Sequence, residues 1–225
     1  GLFKKDVFIM LSLSVVMGSN AFFGLAFFEF FEQGYHYENA IISASLLGAM
    51  GVILSLFMFE FSKERTRVGA VLLNLRKNPL LISIFIGVVF SLLGFSRSFL
   101  HSSFEILGDA SGSIAVFALG IFLYDNVSIR SAAQSLPYAL FRFISLGVGV
   151  ILTLTVLNLF VLFPPAFELQ QFLLLQTAVP SAVALVIFSQ RYDYKIAQVT
   201  GMVVLTSMLS FLFMIINYGL SFIVF

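Results

Sequence analysis

The chain has 225 residues, 60% hydrophobic and 10% charged, with a formal net charge of +1. A soluble domain carries about 25% charged residues. So few charges cannot clothe this much apolar surface in water, and lipid is the solvent that removes the conflict. The absence of Cys excludes disulfides, thiol catalysis and Cys-based metal sites, and no basic patch outside the short loops offers a surface to nucleic acid. There is no Trp either, so an interfacial aromatic belt would use Tyr and the 29 Phe residues.

A spanning helix needs about 20 mostly apolar residues, and the gaps between charges mark seven candidates. The first runs from Val7 to about Phe31 and the second from Asn39 to Phe59. The third runs from Pro79 to about Phe95, and the fourth, the shortest, from about Leu107 to Tyr124. The fifth runs from Pro137 to Phe163, ended by Pro164-Pro165. The sixth runs from about Leu169 to Gln190 with Pro180 inside it. The seventh lies within Ile196–Phe225, a stretch without charge. Lys4-Lys5 before the first apolar run imitates a signal peptide, with Gly18-Ser19-Asn20-Ala21 as its cleavage site. The run continues to Phe31, however, well past a signal core of about 7–15 residues.

Arg and Lys concentrate in cytoplasmic loops. Threading the chain through seven spans places Lys4, Lys5, Lys63, Arg65, Arg67, Arg76, Lys77, Arg130, Arg142, Arg191 and Lys195 on one side and Arg97 alone on the other. The N-terminus is therefore expected in the cytoplasm and the C-terminus outside, in a multi-pass protein of the plasma (inner) membrane. The loop with Glu29, Glu32 and Glu38 then lies outside, as do the connection after the third span and the Pro164-Pro165 turn. The basic connection Ser62–Asn78 reads as a topology-setting loop.

An internal repeat follows. Tyr35-His36-Tyr37-Glu38-Asn39-Ala40 comes after the first span, and Tyr192-Asp193-Tyr194-Lys195-Ile196-Ala197 after the sixth. The shared pattern is Tyr-x-Tyr-x-x-Ala, and a long apolar helix follows each copy. At the same offset Asn20 falls on Thr177 and Phe23 on Pro180. Both preceding helices read as broken: the first by Gly18-Ser19-Asn20 and Gly24, the sixth by Pro180 within Gln176–Ser181. The first runs outward and the sixth inward, so the two units are inverted copies. Interrupted segments at matching places in inverted halves point to a transporter's binding site near the midplane. A broken helix exposes unpaired N–H groups with roughly half a positive charge, and two such ends would hold a carboxylate without a fixed cation.

The residues expected to contact substrate are Ser19 and Asn20 from the first break and Gln176, Thr177 and Ser181 from the second. Gly24 and Pro180 contribute shape. The polar side chains equally suit a second role, bonding the peptide groups that the breaks free, and the sequence leaves both open. Among ionisable groups, Asp109 reads as a helix cap, Arg142 as a snorkelling residue at the cytoplasmic end of the fifth span, and His36 and His101 as solvated. Gly48, Gly51, Gly147 and Gly149 read as close helix packing.

Four segments resemble the auxin efflux carrier family, which includes bacterial malonate and malate carriers. Gly18-Ser19-Asn20-Ala21-Phe22-Phe23-Gly24-Leu25 looks like its first crossover, and Asn78-Pro79-Leu80-Leu81 with Gly87 like the opening of its second half. Ala110 through Ala115-Val116-Phe117-Ala118-Leu119-Gly120 looks like its small-residue helix, and Leu174 through Pro180-Ser181-Ala182 like its second crossover. One departure is Ala26 after Gly24-Leu25, where the family often has Pro. The resemblance implies an all-α membrane protein of ten helices in two inverted sets of five, with two broken crossover helices. The seven spans here would be helices four to ten, which fits a first residue that is Gly and not Met. Residues 1–60 would then end the first repeat, 61–78 form the cytoplasmic basic loop, and 79–225 form the second five-helix repeat.

The implied function is secondary transport of small organic anions, such as malonate, malate or auxin-like acids, by alternating access. No cofactor or metal is implied, and coupling to H⁺ or Na⁺ and assembly as a homodimer stay open. The bile acid:sodium symporter family shares the plan and is the alternative. An intramembrane enzyme would need paired carboxylates, a Ser–His pair or metal ligands at depth, and no span offers them. A receptor or a channel is favoured by neither the charge bias nor a polar pore ring.

Overall fold

The computed structural model describes residues 2–30, 36–63, 76–77, 79–93, 129–160 and 165–224, with scattered positions between 102 and 124. The described residues are helical, with one isolated antiparallel bridge between Gly18 and Ser181. In chain order the helices are α1 (Leu2–Val16), a π turn (Asn20–Gly24), α2 (Leu25–Phe30), α3 (Tyr37–Ser62), α4 (Pro79–Leu92), α5 (Ile129–Phe160), α6 (Phe167–Gln176), α7 (Ala184–Arg191) and α8 (Ile196–Val224). Most of the fourth expected span lies outside the described residues. So do Tyr35, Glu32, His101, Asp109 and the stretch 64–75 with Arg65 and Arg67.

Among the described residues, three helices are long and apolar enough to cross a membrane: Glu38–Ser62, Arg130–Phe160 and Ile196–Val224. Even the first, with 25 residues, reaches about 37 Å at about 1.5 Å per residue, more than the roughly 30 Å hydrocarbon core. Their outer faces carry bare apolar side chains such as Leu46, 64% exposed, and Ile215, 72% exposed. Such faces are stable against lipid tails and not against water.

Both expected breaks are present. The first expected span divides into α1 and α2 across Met17–Gly24, and the sixth into α6 and α7 across Thr177–Val183. Two apolar cores flank them. One packs Ile9, Met10 and Leu13 of α1 with Leu56 and Phe59 of α3, Leu185 and Val186 of α7, and Val199 and Met202 of α8. The other packs Phe28 of α2 with Ala40 of α3 and Phe172 and Leu175 of α6. The first half of one broken helix thus shares a core with the second half of the other. The two broken helices therefore run antiparallel with their breaks side by side.

The fifth expected span begins two turns early, at Ile129, and carries Pro137 inside it. Pro removes one backbone donor, but a membrane helix tolerates this where neighbours satisfy the freed group. α5 is drawn against α8 at this level. Ser135 Oγ donates to Gln198 O at 2.7 Å, and a Cβ on Gly201 would meet Ser135 Oγ at 2.9 Å. His36 is not solvated but 2% exposed, its ring 5.6 Å from that of Phe172. Burial holds it below the usual imidazole range, opposed by a hydrogen bond with Gln171 and by the Glu168 carboxylate.

The second Tyr-x-Tyr turn seals one end of the larger core. Tyr192 stacks on Phe59, Tyr194 Oη donates to Asp6, and Lys195 pairs with Asp6 at 3.0 Å. Burial, then the facing Asp6 carboxylate, pushes the Tyr194 phenol up.

The four glycines expected at close helix contacts divide. A Cβ on Gly51 would meet Met17 Cγ at 3.0 Å and Val16 O at 3.1 Å, and one on Gly147 would make ordinary contact with Thr177. Gly48 and Gly149 face open space, so they do not mediate packing among the described residues. Gly51→Val should destabilise the protein by about 1–3 kcal/mol through overpacking. Gly48→Ala should be neutral or raise stability by up to about 1 kcal/mol through helix propensity. Thermal unfolding of the purified protein in detergent checks both signs.

Candidate functional site

The site is built from two failures of the helical ladder. A helix end leaves carbonyls and N–H groups unbonded, and at membrane depth water cannot satisfy them. The two breaks satisfy each other first. Ser19 N–H donates to Pro180 O at 2.8 Å, and Ala182 N–H donates to Met17 O at 3.0 Å. Beyond this bridge the first chain turns through the π turn, where Ser19 O accepts from both Phe23 and Gly24 N–H. Single π turns inside α-helices recur at functional sites. Here the π turn starts the second half-helix without the Pro that the sequence lacks at Ala26.

The second break draws on α8. Thr206 Oγ1 accepts from Ser181 N–H at 3.1 Å, and Ser210 Oγ donates to Ala178 O at 2.7 Å. Asn217 Nδ2 donates to Leu174 O and to Thr177 Oγ1, both at 3.0 Å, and Ser221 Oγ accepts from Gln171 at 3.1 Å. These four residues recur at near-helical spacing and form a buried polar stripe on an otherwise apolar helix. The sequence reading passed over them, although Thr, Ser, Asn and Ser every four to seven residues in an uncharged span was the available signal.

Arg142 is the largest correction. It lies 2% exposed in the middle of α5, not at a helix end within reach of water. Because α5 begins at Ile129, Arg142 stands about 20 Å along the axis from the helix start at about 1.5 Å per residue, and its head group is bonded inside the bundle instead of reaching water. Its Nε and Nη2 donate to Val179 O at 3.1 and 2.9 Å, and its Nη1 donates to Ser14 O at 2.6 Å. Ser14 O belongs to the last turn of α1, where carbonyls lack helical partners and a cation is favoured. One guanidinium thus ties α5 to both broken helices. A Cβ on Gly18 would stand 2.9 Å from Nη2, so a larger residue here would have to push the guanidinium aside. Arg142 therefore leaves the set of loop cations from which orientation is read.

The expected contact residues fall into two groups. Asn20 and Gln176 meet across the crossing, with Gln176 Nε2 donating to Asn20 Oδ1 at 2.8 Å, and Gln176 Oε1 is buried without a partner among the described residues. Thr177 and Ser181 turn to backbone instead: Thr177 Oγ1 donates to Leu174 O at 2.7 Å, and Ser181 Oγ donates to Ser14 O at 3.4 Å. Ser19 and Pro180 contribute the backbone bridge. Gly24 lies in the π turn, where a Cβ would make only ordinary contact with Val179 at 3.6 Å.

The stripe has a measurable consequence. Asn217→Leu removes a donor from Thr177 Oγ1 and one of the donors to Leu174 O, which keeps Thr177 N–H and Oγ1, and should destabilise the protein by about 0.5–1.5 kcal/mol. Thermal unfolding in detergent reads this directly, and Tyr218→Phe on the exposed face of α8 should show no such loss.

No curated protein sequence matches the chain. The family described as membrane transport protein matches over residues 61–218, more than half of the chain, from the end of α3 through most of α8. The chain belongs to this membrane transport protein family, the auxin efflux carriers.

Proposed function

We propose that the protein is a secondary carrier of small organic anions, working by alternating access across the plasma membrane. Family membership supports transport. The observation that carries the finer reading is the antiparallel bridge between the two breaks, with Asn20 and Gln176 bonded beside it. In this reading the described helices are parts of seven spans in a ten-helix inverted-repeat plan. Residues 1–60 close a first repeat, 61–78 form the cytoplasmic loop, and 79–225 form the second repeat. The N-terminus faces the cytoplasm and the C-terminus the outside.

Substrate is held where the second half-helices begin, at Asn20 and at Ala184. Each such end carries roughly half a positive charge, and the Asn20–Gln176 amides supply directional hydrogen bonds. Ser19, Gly24, Thr177, Pro180 and Ser181 shape the pocket through the backbone they hold. One group of helices then moves against the other to carry the anion across, driven by an H⁺ or Na⁺ gradient, and the carrier forms a homodimer.

The test is uptake of radiolabelled malonate, malate and an aromatic acid by the full-length protein in proteoliposomes, under each gradient. Saturable uptake is expected. Asn20→Ala should reduce it about tenfold or more, the range of one hydrogen bond to a charged group, and Pro180→Ala should reduce it by relaxing the second break toward helix. Uptake insensitive to both changes would move the site elsewhere. No uptake of any acid under either gradient would overturn the anion reading.

A further inference from the structure

We infer that Arg142 is the fixed positive charge that answers the substrate carboxylate, an inference that rests on the carrier reading above. The sequence alone gave the crossing no cation, and the structure puts one there. Arg142 is 2% exposed and lies within a membrane-spanning helix. Among the described residues no carboxylate pairs with it, the ion pairs being Lys63–Glu60 and Lys195–Asp6. Its three hydrogen bonds all go to backbone carbonyls. A guanidinium carries five N–H donors. One N–H on each terminal nitrogen therefore has no acceptor among the described residues.

Carbonyls at a helix end supply only about half an elementary negative charge, so the site keeps a positive excess. A charge at membrane depth is costly and usually functional, and a buried ion without a partner is strongly unfavourable. An anion removes that cost. The position is right for it. The point where a Gly18 Cβ would stand lies 2.9 Å from Arg142 Nη2 and 2.9 Å from Asn20 Oδ1. The guanidinium and the Asn20–Gln176 pair therefore border the same spot on the backbone. A carboxylate bound at the amide pair lies beside a cation whose planar fork matches it. The competing role is a brace, in which Arg142 only ties α5 to the two breaks.

Charge separates the two. Calorimetric titration of the full-length protein in nanodiscs would use malonate and malonamide, the uncharged diamide with the same carbon frame. Wild type should prefer malonate by about tenfold or more. Arg142→Gln should raise the malonate Kd about 10- to 100-fold, the range of a hydrogen bond to a charged group, and raise the malonamide Kd by far less. Arg142→Lys, which keeps the charge, should retain most of the preference. An unchanged malonate Kd in Arg142→Gln would overturn the inference, as would equal losses for both ligands, which mark a brace. Should Arg142→Gln fail to fold, the wild-type comparison decides, and equal Kd values for malonate and malonamide overturn the inference. Wild-type binding of neither ligand, with no uptake, would overturn the carrier reading and this inference with it.

Discussion

A peptide group in hydrocarbon has no water to turn to, and this constraint organises the molecule. Two helices stop and restart inside the bundle, and each interruption frees carbonyls on one side and N–H groups on the other. The freed groups find three kinds of partner. The breaks bond each other through Ser19–Pro180 and Ala182–Met17. Thr206, Ser210 and Asn217 of α8 bond the second break. Arg142 of α5 bonds carbonyls from both. The placement of α5 and α8 follows, since each must bring its donors to the crossing.

Lipid tails are as apolar as Leu, so apolar burial gives helices in a membrane little reason to choose one partner over another. The cores on either side of the crossing pack well, but packing alone would tolerate a shifted register. The polar layer between them would not. Sliding α8 by one residue would take Thr206, Ser210 and Asn217 away from the groups they bond, and each buried group left bare costs about 1–3 kcal/mol. A few hydrogen bonds at the crossing therefore specify an arrangement that many apolar contacts only permit.

The parts of this architecture that follow from local chemistry were legible in the sequence. Pro180 and Gly18-Ser19 marked both breaks because they act on their own backbone. Long uncharged runs placed α3 to within three residues at each end and the stretch that holds α8. Depth and partnership were not legible. Pro137 looked like a helix start, which set Arg142 near the water, whereas α5 starts at Ile129 and buries it. His36 looked solvated because it follows a loop, yet Phe28 and Phe172 enclose it. Gly48 and Gly51 differ only in which side of α3 they face, and the neighbour that makes Gly51 tight, Met17, belongs to the first break. Each miss concerns a contact between elements, which no short stretch of sequence contains.

The same accounting narrows the chemistry a ligand can meet. A side chain that satisfies a freed peptide group cannot leave it for a substrate without exposing that group again. Thr177 and Ser181 are committed in this way, as are Thr206, Ser210 and Asn217. Asn20 and Gln176 bond only each other among the described side chains, and the amide of Gln176 keeps a buried oxygen unused. Their hydrogen bond can be exchanged for bonds to a ligand with no backbone group left bare. The crossing thus separates two duties that the sequence had placed on the same residues. The hydroxyls and Asn217 hold the broken backbone, and the facing amides of Asn20 and Gln176 are left to exchange partners.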